Sequence, residues 1–366
     1  MTTFFAHWSV PIVALLMLGC RAEPPEAVRD AAHKEKERRQ KVPMALTTNG
    51  AFSAGEVSHE PKVIIRNIGQ TSALAFSPDG ATLASCNNQV HFWNPVDGAQ
   101  LGRLGERMGP RSLAYDPTGT VLAIGDHDWK VTLREVNERK ARSILRGHKQ
   151  VVLSVGFSAD GNRLATGGHE KLVKLWSVDT GDEKATFDGD GVLAFDGRTL
   201  AWVGDYLTIR LFDVGAGKEK PVLKQLNVHA LALNQSGTVL AAGSHHPNGP
   251  IEMWDLRSLK SARTLTWPVE MKSQWEGPVY NDDLAFSPDE YILAACGGGR
   301  IKGPGCIFLW DVGSGRCFAQ FIDPNHGVYR IAFNPAGDLL ASAHADGTIR
   351  IWDVGTIVAA ANKGER

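Results

Sequence analysis

The chain has almost no excess of charge of either sign. Its 366 residues carry 39 Lys and Arg against 40 Asp and Glu, a formal net charge of −1. No bulk field favours nucleic acid or an anionic membrane surface, so partners recognised through overall charge are excluded. Long apolar runs are short of what a bilayer needs. The apolar stretch within residues 1–20 covers about 16 residues, where a spanning helix takes roughly 20. Catalytic signatures are missing too: there is neither a Gly-x-Ser-x-Gly elbow nor a His-Glu-x-x-His pair. The glycine run at 297–305 lacks a Gly-Lys-Ser/Thr ending. It lies between two strand-like runs rather than before a helix, so it reads as a hairpin and not as a phosphate cradle.

What the chain does have is turns and short β runs. Glycine (39) and proline (18) are plentiful, and 43% of residues are hydrophobic, enough for a large core in a turn-dense β protein. Residues 146–178 show the pattern most clearly. VLSVGF at 152–157, RLAT at 163–166 and LVKLW at 172–176 are separated by SADG and GGHEK, and KATF follows at 184–187. Alternating apolar residues between Gly/Asp punctuation predict an antiparallel meander of four strands.

The same unit recurs along the chain. Its first strand and turn appear as LAFSPDG at 74–80 and LAYDPTG at 113–119, then as LAFDG at 193–197 and LALNQSG at 231–237, and finally as LAFSPDE at 284–290 and IAFNPAG at 331–337. The third strand ends at Trp93, Arg134, Trp176, Phe212, Trp254, Trp310 and Trp352. Seven copies at a period of about 42 residues fit a repeat of four strands each. TrpAsp stands at Trp254–Asp255, Trp310–Asp311 and Trp352–Asp353, and GlyHis at Gly147–His148. On these residues, over about 61–355, the chain resembles the WD40-repeat (WD domain, G-beta repeat) family.

The resemblance implies an all-β fold, a seven-bladed β-propeller of four-stranded antiparallel blades. In that family an Asp six residues ahead of the Trp joins a His–Asp–Trp hydrogen-bond network. Asp128 and Asp346 match that position and Glu170 nearly does, while the other copies depart from it. His148 is expected as a structural partner, and the third-strand Trp residues as blade packing. The last copy ends in TIRIW at 348–352 with no fourth strand after it, whereas KVIIR at 62–66 is a spare strand before the first. Closure of the ring by this N-terminal strand is therefore expected, which removes the free edges of an open array.

The ends divide accordingly. Residues 1–19 read as a signal peptide, 20–60 as a charged, flexible tether, 61–356 as the propeller and 357–366 as a C-terminal tail. Met17, Leu18, Gly19 and Cys20 resemble a bacterial lipoprotein lipobox, which implies acylation at Cys20. That places the protein at the cell envelope, membrane-anchored and facing the periplasm or the exterior. Secretion is the alternative. Residues 26–41 hold i,i+4 charge pairs such as Glu37–Lys41 but no apolar stripe.

Up-and-down strand order puts the turns after second strands, and the lead-ins to each next blade, on one face. Three insertions fall there, at 244–250, 267–282 and 297–305. Clustered insertions often mark a binding surface. Trp267, Trp275 and Tyr280 are candidate anchors for a partner, with Arg300 and Lys302 as a polar rim. Burial of the two Trp residues against their own blade is the competing expectation.

His127, His169, His246 and His344 lie in different blades, too far apart to share a metal. Cys86 and Cys296 fill the repeat position of Gly167, where small residues pack. Cys296 and Cys306 flank one hairpin, and a disulfide between them is left open by spacing alone. The family resemblance implies a monomeric, non-catalytic scaffold for protein partners, with no cofactor, metal or nucleic acid. A propeller enzyme or small-molecule binder with a site on the central axis is the alternative, for which the sequence offers only Asp282 and Asp283 there.

Overall fold

The computed structural model describes residues 60–66, 69–104, 109–205, 207–225, 227–246, 248–267, 280–298 and 304–363. Cys20, Trp275, Arg300 and Lys302 lie outside these. The described residues form one compact unit of seven four-stranded antiparallel sheets. The repeat period read from the sequence maps directly onto blades. Blade 1 comprises β2 (Ala73–Phe76) to β5 (Gln100–Arg103), and blade 3 comprises β10 (Val152–Phe157), β11 (Arg163–Gly168), β12 (Leu172–Ser177) and β13 (Glu183–Asp188). In each of these the strands pair in chain order from the axis outward.

Blade 7 is the exception that closes the ring. Its sheet order is β1 (Val63–Arg66), β28 (Thr348–Asp353), β27 (Leu339–His344), β26 (Val328–Phe333). β1 is antiparallel to β28, with Val63 opposite Ile351 and Arg66 opposite Thr348. Lys62 reaches Asp353 at 3.2 Å, an exposed pair worth little by itself. The segment expected as a tail from 357 is instead the end of helix α1 (Val354–Lys363), whose Val354 and Ile357 are buried. No helix among the described residues is long and apolar enough to cross a membrane.

Alternation along each strand sends every second side chain toward a neighbouring blade, so the core is divided into layers between blades. One layer joins Met253 and Leu265 of blade 5 to Leu293, Phe308 and Trp310 of blade 6. Another joins Leu133 of blade 2 to Trp176 of blade 3. The third-strand Trp residues 93, 176, 310 and 352 are buried in such layers, and Trp254 is half-buried. Cys86 and Cys296 are fully buried where Gly167 sits in blade 3, as their small size requires. At Gly167 a Cβ would stand 2.0 Å from the Gly191 carbonyl oxygen, so the lead-in to blade 4 leaves no room for a side chain.

The hairpin of blade 6 decides the disulfide question. Cys306 pairs with Gly297, and Cys296 with Ile307. The two cysteines therefore lie on opposite faces of the sheet, and both are free thiols. A register one residue from the one that spacing allowed turns them apart.

Candidate interaction face

Two hydrogen-bond relays run below the face that carries the second-to-third-strand turns. In blade 3 the Trp176 indole N–H donates to Thr166 Oγ1 at 2.8 Å, and that hydroxyl lies 2.7 Å from His148 Nε2. His148 Nδ1 lies 2.6 Å from Glu170 Oε1. A carboxylate can only accept, so Nδ1 carries the proton and Nε2 accepts from Thr166. Burial, opposed by Glu170, keeps His148 below the usual histidine range, consistent with the neutral tautomer. Glu170 thus serves where the family has Asp.

Blade 7 builds the same relay from other positions. Trp352 N–H donates to Ser342 Oγ at 2.8 Å, Ser342 meets His344 Nε2 at 2.8 Å, and His344 Nδ1 meets Asp323 Oδ2 at 3.1 Å. His344 sits two residues after Ser342 in its own strand. In blade 3 that position is Gly168, where a Cβ would come within 2.5 Å of His148 Nδ1. One blade receives its imidazole from the preceding loop and keeps a glycine to admit it; the other supplies the imidazole from the strand.

Asp346 lies at one side of the blade 7 relay, accepting from Thr348 N at 2.8 Å and facing Arg350 at 3.4 Å. Asp323, His326 and Asp346 bring possible ligand atoms within 4.8 Å of one another. Arg350 Nη2 stands 2.7 Å from Asp323, however, so a guanidinium already supplies the positive charge among them.

Asp128 does not take the role expected of it. Its carboxylate is largely exposed and pairs with Lys130 at 3.3 Å. Blade 2 has Arg134 in place of a Trp, so no indole is there to anchor a relay. Fully buried Asp126 instead accepts the Asp128 N–H at 2.9 Å and organises the turn. Trp93 donates to Ser85 Oγ at 2.8 Å, and Trp254 to Gln225 Oε1 at 2.8 Å.

Trp267 is not an exposed anchor. Only 7% of its surface is accessible. Its ring meets Phe308 edge-on at 5.0 Å and Trp310 at 5.6 Å, within the layer between blades 5 and 6. Its indole N–H donates to the Gly249 carbonyl at 3.0 Å. Fully buried Asn281 donates to the Ser244 and Gly249 carbonyls at 2.9 and 3.1 Å. The insertion at 244–250 is therefore clamped by both ends of the insertion at 267–282. Tyr280 is half-buried, its ring 5.1 Å from His245, which stacks on His229 at 4.4 Å.

Two exposed apolar side chains occupy this face without having been singled out in the sequence. Leu207 lies in the second-to-third-strand turn of blade 4 and is 56% exposed. Trp129 lies in that turn of blade 2, is 53% exposed, and has φ of 65°. The corresponding left-handed positions hold Lys171, Asn248 and Gly347. A left-handed residue with a bulky side chain costs roughly 1–2 kcal/mol, so Trp129 is held at some expense where a glycine would sit freely. An aromatic residue at a turn apex between Asp128 and Lys130 was the signal that could have found it.

At the axis, the inner ends of all seven blades line a cavity of about 650 Å³. It brings together Arg111, His169, His229, Asp282, Asp283 and Arg330, more than the acidic pair legible beforehand. Asp283 accepts from the Ile331 and Leu284 N–H groups at 3.0 and 3.1 Å. Burial raises its carboxyl above the ordinary range, with Arg330 opposing.

Comparison with known proteins agrees with this architecture. The WD40 model (WD domain, G-beta repeat) matches residues 66–94, 139–177 and 315–353. These stretches contain the three Trp-to-Ser/Thr hydrogen bonds, of Trp93, Trp176 and Trp352. The chain is thus a seven-bladed propeller, three stretches of which match the WD40 repeat. It is 26% identical to serine-threonine kinase receptor-associated protein of Gallus gallus, over 70% of this chain and 69% of the relative. It is 27% identical to nuclear distribution protein PAC1 of Arthroderma otae, over 77% of this chain and 58% of the relative. It is 30% identical to periodic tryptophan protein 2 of Arabidopsis thaliana, over 57% of this chain but 22% of that protein. The alignment thus takes in little more than half of PAC1, and far less of the third relative.

Proposed function

We propose that the protein is a non-catalytic scaffold, tethered to a bacterial envelope membrane through acylated Cys20, that binds a protein partner on the face of its second-to-third-strand turns. The observation that carries the proposal is Trp129: a large aromatic, half exposed, held in a backbone conformation suited to glycine. Backbone strain retained at an exposed aromatic points to a use outside the fold. Leu207 and Tyr280 share the face, and the sequence adds Trp275, Arg300 and Lys302 in the insertions of blades 5 and 6. A relative named for association with a serine-threonine kinase receptor fits a platform of this kind.

The test is crosslinking and pull-down from native envelopes with wild type, Trp129→Gly and Cys20→Ser. Trp129→Gly should weaken capture at least tenfold while leaving thermal stability equal or higher, because glycine relieves the left-handed φ. Lower stability with unchanged capture would make Trp129 a structural residue and remove the basis of the proposal. Cys20→Ser should shift the protein out of the membrane fraction. Unchanged partition and gel mobility would remove the anchor.

The axial cavity favours a second reading, a site for a small molecule. Its volume lies within the usual range for ligand pockets, about 300–1,000 Å³, and its polar groups converge from separate blades.

A further inference from the structure

The axial mouth contains one strong donor, exposed to solvent, that no protein acceptor occupies among the described residues. Arg111, at the start of the inner strand of blade 2 (β6, Pro110–Tyr115), lines the cavity. Among the described residues its guanidinium makes no hydrogen bond or ion pair. Other polar groups of the rim are committed. Ser72 Oγ lies 3.2 Å from both the Pro110 carbonyl and Cys86 Sγ, and Ser154 Oγ donates to the Gly191 carbonyl.

The second arginine is fixed in place. Arg330, from blade 7, donates through Nε to the Ser72 carbonyl at 2.9 Å and through Nη1 to the Tyr329 carbonyl at 2.7 Å. Its Nη2 is left for the cavity. The two guanidiniums approach from either side of blade 1. Burial and then the charge of Arg330 press Arg111 below the ordinary arginine range. Asp283 feels the charge of Arg330 without forming an ion pair with it. Asp283 is held by two backbone N–H groups, and no Asp or Glu oxygen comes within ion-pair distance of either arginine among the described residues.

We propose that Arg111 and Arg330 form a binding site for a carboxylate, supplied by an acidic side chain of the partner segment that enters the axial mouth. The assignment rests on the partner-binding face proposed above and names the chemistry at its centre. The free fork of Arg111 and the remaining Nη2 of Arg330 together match a planar, two-oxygen anion. A phosphate monoester shares that chemistry, but its second negative charge would add to the carboxylates of Asp282 and Asp283, which line the same mouth with Asp283 next to Arg330, so the monoanion is favoured. The exposed Trp129, in the second-to-third-strand turn of the blade that carries Arg111, offers an entering chain an apolar contact on the same face.

A phage-displayed random dodecapeptide library, panned on wild type, Arg111→Gln, Arg111→Lys and Trp129→Gly, tests the assignment. Wild type should enrich Asp or Glu at one fixed position. The synthetic consensus peptide should bind Arg111→Gln at least tenfold more weakly, and Arg111→Lys at an intermediate level because charge remains without the fork. The melting temperature of Arg111→Gln should be unchanged or raised. Phosphoserine at the acidic position should bind more weakly than Glu; equal or tighter binding would assign the pair to phosphate and overturn the carboxylate. Enrichment without an acidic position, or acidic peptides that bind Arg111→Gln as wild type, would also overturn the proposal. If those same peptides are lost on Trp129→Gly, the partner-binding face stands and only the carboxylate site falls. An absence of enrichment overturns the site, and with failed envelope capture it removes the face as well.

Discussion

Truncating Trp267 separates a core residue from a partner anchor, and the structure sets the size of the effect. The ring is buried between Phe308 and Trp310 at 5.0 and 5.6 Å. A fully buried Trp removes about 150–250 Å² from water, which at roughly 25 cal/mol per Å² is about 4–6 kcal/mol as an upper limit. Core Trp→Ala changes cost about 3–5 kcal/mol, and Trp267→Ala should fall in that range. The indole hydrogen bond adds little. The Gly249 carbonyl also accepts from Asn281, so it is not orphaned when the indole is removed. Trp267→Phe, which keeps an aromatic ring, should cost only about 1–2 kcal/mol. Equilibrium urea unfolding followed by Trp fluorescence and far-ultraviolet circular dichroism measures both. A loss below about 1 kcal/mol for Trp267→Ala would mean that the ring is exposed in solution, and Trp267 would return as a candidate anchor.

Three further outcomes follow from the fold. Deleting residues 62–66 removes β1 and exposes the edge of β28, so size-exclusion chromatography with light scattering should show association; a monomer with unchanged melting would mean that another segment closes blade 7. Gly167→Ala and Gly168→Ala should differ although adjacent. The first meets the Gly191 backbone at 2.0 Å and should cost about 3 kcal/mol or more, while the second meets side-chain atoms only, the Glu170 carboxylate and His148 Nδ1, which must shift within their relay, and should cost about 1–2 kcal/mol. Equal urea midpoints for the two would contradict the close passage at Gly191. His148 and His344 are both held below their ordinary value of 6.5, chiefly by burial. Their neutral forms therefore stabilise the fold fully above about pH 6.5, and that contribution is lost as pH falls. Urea midpoints should drop between pH 7.5 and pH 5.5, and a rise would show that the imidazoles are charged in the native state.

The blades were legible because their determinants are local. An inner strand, a Gly/Asp turn and a third strand ending in Trp repeat within about 42 residues, and ring closure followed from one missing strand and one spare strand. The relay of blade 3 was partly legible for the same reason, since His148, Glu170 and Trp176 lie in one repeat. The relay of blade 7 was not. Its His344 comes from inside a strand and its Asp323 from the end of β25 (Cys317–Asp323) in the preceding blade, so no fixed spacing from Trp352 marks them. Trp267 was left between anchor and core because an insertion suggests exposure, yet this Trp stands two residues after buried Leu265 and continues into the same interblade layer. Arg111 and Arg330 come from blades 2 and 7, and only closure of the ring brings them together.

The difference between committed and uncommitted groups sorts the face into frame and site. His148, Glu170, His344 and Asp323 are polar, lie close below the face, and would each attract attention as chemistry. Each is also paired. Removing one partner from such a buried relay leaves another group unsatisfied, at about 1–3 kcal/mol. A ligand drawing on these groups would have to break the relays that hold the loops in place. Arg111 and Trp129 stand in the opposite position. One has five donors and no acceptor among the described residues, and the other pays a backbone cost for an exposed ring. Neither contributes to the fold in a way that explains its presence, so a partner can engage both without loosening the propeller. On this criterion recognition is carried by the axial mouth and the turn of blade 2, and the relays of blades 3 and 7 hold rigid the frame on which they are displayed.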